Sequence, residues 1–168
     1  MSLQEINSLD KIQLTELLTR CCGSSKWVNE ITLQFPMQDE ATLLKLAGEI
    51  WFACNEDDWL QAFTHHPKIG DIDSLKEKFA STADLASGEQ SMVKHTSQQV
   101  LEELAEANTL YQQTFGYIFI VCATGKSAVE MLHLLQQRLK NKPEHEIRIA
   151  MEEQHKITIL RLKKILNA

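Results

Sequence analysis

The chain has 168 residues, 43% of them hydrophobic and 24% charged, and a formal net charge of −6. This is the balance of a globular protein with enough chain to bury a real core, not of a disordered one. The acidic total, with no Lys/Arg cluster beyond Arg161-Leu162-Lys163-Lys164, argues against nucleic acid, and no apolar run reaches bilayer length, which argues against a membrane.

Taken in order, the elements read as helices. Leu9 to Arg20 is amphipathic and ends near Gly23; Ser24 or Ser25 then caps a segment through Trp27, Val28, Ile31 and Leu33 that stops before Pro36. Asp39 caps "EATLLKLAGEIWFAC", and Asn55 caps "EDDWLQAFTHH". That fourth helix must end near His66, because a residue before proline is pushed out of the helical region. A looser stretch from Lys68 to Gly88 leads to Ser87-Gly88-Glu89-Gln90, which has the form of a capping box and predicts a long helix to about Tyr111. Ser127-Ala128-Val129-Glu130 is a second capping box, opening a helix to about Leu139. Pro143 suits the first position of a last helix reaching about Leu166.

The segment "FGYIFIVCATG", from Phe115 to Gly125, departs from this pattern. Its aromatic and β-branched residues read as extended chain, but one strand makes no sheet. The expectation is an all-α fold of about seven to nine helices with one extended connector, forming a single domain over residues 1–168. "ATGKS" imitates the end of a phosphate-binding loop, yet the glycine that loop requires is replaced by Ile120.

Cysteine and histidine usage points away from metal. Cys21, Cys22, Cys54 and Cys122 show no Cys-x-x-Cys spacing, and the six histidines show no zinc pattern. The opening "MSLQEINSLD" lacks the regions of a signal peptide, and "KILNA" is no peroxisomal address. These features predict a soluble cytoplasmic protein with reduced thiols.

Three polar residues sit where a plain amphipathic helix would not need them. His66 closes a helix before Pro67. Glu89 starts the face that continues through Met92, Val93, Thr96, Val100, Leu104, Ala107 and Tyr111. Arg161 lies inside the stripe of Ile147, Ala150, Met151, Gln154, Ile157, Thr158, Leu162 and Ile165. Each has an ordinary explanation: a cation at a helix C-terminus, an acid in a first turn, and a snorkelling arginine. Together they supply a proton carrier, a carboxylate and an anion clamp. The connector would add backbone N–H groups unclaimed by any sheet.

"HHPKIGD", "SGEQ", "FGYIFIV" and the terminal "ILRL", in this order and spacing, resemble the 2-oxo-4-hydroxy-4-carboxy-5-ureidoimidazoline (OHCU) decarboxylases of urate breakdown. The likeness runs over nearly the whole chain. It implies an all-helical enzyme, often a homodimer, that makes (S)-allantoin from OHCU with no cofactor or metal. It places catalysis on His66, not His65, and on Glu89. It places substrate contacts on Pro67, Ser87, Gln90, the main chain around Phe119, Ile120 and Val121, and Arg161. The chain differs from the family pattern at Ala86, where a serine is usual, and at Thr114, where a basic residue is common. A second reading stays open from the residues alone: a non-catalytic helical interaction module whose polar residues only cap and snorkel.

Overall fold

The structure, a computed structural model, describes residues 1–66 and 93–167, the stretch 93–97 by backbone alone. Among the described residues there are eight helices and no strand, as the sequence predicts: α1 Leu3–Asn7, α2 Lys11–Cys21, α3 Ser25–Thr32, α4 Glu40–Ala53, α5 Glu56–Thr64, α6 Val93–Phe115, α7 Ala128–Arg138 and α8 Pro143–Leu166. The predicted caps form. Ser24, Asp39, Asn55 and Ser127 each accept a backbone N–H from the first turn that follows. Pro143 is the first residue of α8, where its missing N–H costs nothing.

Three boundaries differ from the sequence reading. The five-residue α1 was not foreseen, although Ser2 and Glu5 form a reciprocal capping box around it. Helix α2 begins at Lys11 rather than Leu9, because the Asp10 side chain takes the Gln13 N–H and so stands outside the helix. Helix α6 continues past Tyr111 to Phe115, where Gly116 at φ 81° turns the chain into a conformation that side chains disfavour. The capping box predicted at Ser87 lies outside the described residues.

The described residues fall into two units. The first holds residues 1–66, the connector segment Ile120–Cys122 and α8 from Ile147 onward. Its core is built on two tryptophans that bury their rings and still satisfy their N–H groups. Trp27 Nε1 donates to the Ala47 carbonyl at 2.9 Å and Trp51 Nε1 to the Met151 carbonyl at 2.9 Å, tying α3 to α4 and α4 to α8. Cys21, Cys22 and Cys54 fill this core as small apolar groups. Burial pushes their thiols up to about 11, about 12 and about 11, so all three stay protonated at neutral pH.

The second unit covers residues 93–119 and Ala123–Glu146. Helices α6 and α7 pack there around an ionic cluster. Glu146, fully buried, accepts from Arg138 Nε at 2.6 Å, Arg138 Nη2 at 2.6 Å, Asn141 Nδ2 at 2.7 Å and the Tyr111 hydroxyl. The Arg138 guanidinium also lies 4.6 Å from the centre of the Phe119 ring, which meets the Tyr111 ring edge-on. Burying a carboxylate costs several kcal/mol, on the order of the Coulombic gain, unless its lone pairs are filled. Here four donors fill them.

Candidate active site

Helix α5 ends on the histidine pair. Main-chain N–H groups of His65 and His66 donate to Ala62 O at 3.1 Å and Phe63 O at 3.2 Å, closing the last turn. The two rings then part. His65 is the C-cap, its Nδ1 lies 3.1 Å from Gln61 O, and it packs on Gly23 so closely that a Cβ there would stand 2.2 Å from the ring. Its place explains why glycine ends the α2–α3 link. His66 is half-buried, and its Nε2 meets Gln154 Oε1 on α8.

Gln154 is fully buried, and the sequence reading gave it no role. It was on the predicted stripe of α8. Its Nε2 donates to Thr158 Oγ1 at 3.2 Å, and that hydroxyl donates to the Gln154 main-chain carbonyl at 3.0 Å. The buried Cys22 thiol also reaches Thr158. A signal was available: a glutamine with a threonine four residues on, both on an otherwise apolar face, requires a partner for its other amide end.

Arg161 follows on the same face, seven residues and about 10 Å of helix beyond Gln154. Its Nη1 donates to Arg20 O at 3.1 Å and Cys21 O at 3.2 Å, carbonyls that α2 leaves unpaired at its C-terminus. The described residues give Nε and Nη2 no partner, so the planar fork keeps donors for an anion.

Among the described residues the connector forms no helix and no strand. On it, Cys122 N donates to Glu153 Oε2 at 2.7 Å. Ile120 is buried in the core of the first unit, and Phe119 belongs to the aromatic and ionic cluster of the second. Pro67, Ser87, Glu89 and Gln90 lie outside the described residues. Of the predicted site residues, the structure therefore sets His66 against α8 and Arg161 two turns along that helix. No group of three His, Cys, Asp or Glu side chains among the described residues is arranged to hold a metal ion.

A histidine at the end of α5, hydrogen-bonded to a buried glutamine on α8, with an arginine fork further along α8, has the residue types that proton transfer beside an anion requires. The chain belongs to the OHCU decarboxylase family, whose pattern it matches over residues 7–163. It is similar to a uric acid degradation bifunctional protein of Arabidopsis thaliana, 41% identical over 148 residues, which cover 86% of this chain and 45% of that one. It is 25% identical to a 2-oxo-4-hydroxy-4-carboxy-5-ureidoimidazoline decarboxylase of Haloferax volcanii, with 96% of this chain and 94% of that one covered. Among solved structures, an OHCU decarboxylase in the presence of (S)-allantoin superposes with a TM-score of 0.73 at 39% identity, covering 89% of this chain and 96% of that one. The chain spans less than half the length of the bifunctional relatives it matches.

Proposed function

We propose that this protein decarboxylates OHCU to (S)-allantoin in urate breakdown, without a cofactor or metal. The observation that carries the reading is the His66 ring, held on its Nε2 side by a buried glutamine, in a chain that follows the OHCU decarboxylase family from residue 7 to residue 163. The carboxylate of OHCU stands next to a C=N bond. When the C–CO₂ bond breaks, its electron pair moves toward that imine, so the substrate supplies its own electron sink. The protein has to hold the anion, polarise the ring and deliver one proton to one face, which sets the handedness of the product.

In this reading His66 moves the proton. Glu89, with Gln90, Ser87 and Pro67, orients the substrate beside it. The main chain around Phe119, Ile120 and Val121 lines the site, and Arg161 offers its remaining donors to the substrate anion. Residues 1–168 act as one decarboxylase domain, as a homodimer in the cytoplasm, with the small molecule rather than nucleic acid or a membrane as partner. No described helix is long and apolar enough to cross a membrane.

Purified protein is incubated with freshly made OHCU, and optically active allantoin is followed by circular dichroism. A rate well above spontaneous decay, unchanged after EDTA treatment, is the expected result. No acceleration would remove the enzymatic reading and leave an interaction module.

A further inference from the structure

We infer that Gln154 is a positioning residue that locks His66 in the Nε2–H form, so that every proton His66 gains or loses passes through Nδ1. The argument starts from Thr158, whose hydroxyl has a single proton. That proton goes to the Gln154 main-chain carbonyl at 3.0 Å. Toward the Gln154 side chain, Thr158 Oγ1 can then only accept, so the amide NH₂ of Gln154 faces Thr158, at 3.2 Å. The amide oxygen is left facing His66 Nε2. An oxygen with no proton accepts, so Nε2 donates. The Cys22 thiol leaves this assignment intact, because burial keeps it protonated and Thr158 meets the stronger acceptor in the carbonyl. Reversing the amide would set two donors against each other at Thr158, inside a site where Gln154 is 0% and Thr158 2% exposed. An unmade hydrogen bond there has no water to replace it.

The consequence depends on the decarboxylase reading. In the charged state His66 carries both protons. As the new bond to the substrate carbon forms, the proton leaves Nδ1 and its N–H electron pair stays on the ring. The neutral Nε2–H form remains, still bonded to Gln154. The return proton enters at Nδ1. Gln154 touches no reacting atom. It sets which nitrogen works and where the ring points.

The experiment is long-range ¹H–¹⁵N correlation NMR on ¹⁵N-histidine-labelled protein, with the His66 signals identified by their loss in His66→Ala. Above its titration the wild-type ring is expected in the Nε2–H form. Gln154→Leu should release it into a mixture with the Nδ1–H form and lower kcat by about tenfold or more, with KM little changed. Gln154→Glu keeps an acceptor at Nε2, so it should preserve the tautomer and move the histidine limb of the pH–rate profile upward, since a carboxylate favours the imidazolium. A wild-type Nδ1–H ring, or an Nε2–H ring unaltered in Gln154→Leu, would overturn the inference. An Nε2–H ring in a protein that does not accelerate OHCU decay would instead overturn the decarboxylase reading and leave the tautomer assignment standing.

Discussion

The buried polar groups of the first unit are neutral and strung in a line, whereas those of the second are charged and gathered around one carboxylate. In the second, Glu146 takes four donors and the Arg138 guanidinium lies 4.6 Å from the centre of the Phe119 ring. In the first, Cys22, Thr158 and Gln154 lead to His66, an imidazole able to take up or release a proton. Both satisfy buried polarity. Only the open line ends in a group able to do chemistry. In the proposed function, the difference separates a polar cluster that fixes structure from one that aims a reagent.

Breaking the charged cluster should have the largest effect on stability. Glu146→Ala takes from the buried Arg138 guanidinium the carboxylate it meets at 2.6 Å and should cost about 3–5 kcal/mol, read as a fall in the urea midpoint. Replacing both partners, as Arg138→Met with Glu146→Leu, should recover much of that loss, because the penalty belongs to the unpaired charge. A single variant that loses less than about 1 kcal/mol would mean that the Arg138 charge does not depend on Glu146.

Arg161 tests the boundary between the two kinds of role. It caps α2 and, in the proposed function, holds the substrate. Arg161→Lys keeps a cation near Arg20 O and Cys21 O, so stability should fall by less than about 1 kcal/mol. The lysine lacks the planar fork, and losing a charge-assisted bond to substrate, about 1.5–3 kcal/mol, should lower kcat/KM by roughly tenfold to a hundredfold. Unchanged kinetics with a lowered melting temperature would make it a capping residue alone.

The smallest effect concerns His155, which follows Gln154 in sequence but turns its ring to Phe52, 4.8 Å between centroids, and to Gly48. Burial lowers its pKa below the ordinary 6.5. Folding then favours the neutral ring, so its contribution to stability is full above pH 6.5 and is lost as pH falls below that value. His155→Phe should therefore lose less stability than wild type between pH 7.5 and 5.5, measured by urea denaturation. Identical losses would show that this ring does not titrate with folding.

Much of the scaffold was legible because its signals are local. Ser24, Asp39, Asn55 and Ser127 announce helix starts through bonds that span three residues. The stripe of α8 was legible for the same reason, and so was the end of α5 before Pro67. The five-residue α1 was missed because it is too short to show periodicity. The contacts that make the site were not legible. His66 and Gln154 stand 88 residues apart, and Tyr111 and Glu146 stand 35 apart. No spacing within one element encodes such a pair. The sequence pointed to His66 and Arg161 as misplaced polar residues but not to the groups that hold them.

The most direct measurement compares the two neighbouring histidines in one assay. His66→Ala and His65→Ala are purified, shown to be folded, and given fresh OHCU while the optical activity of allantoin is followed. His66 ends the polar line and His65 packs on Gly23, so the account predicts that His66→Ala lowers kcat by about 10²-fold or more while His65→Ala changes it by much less. Equal losses in the two variants would contradict it.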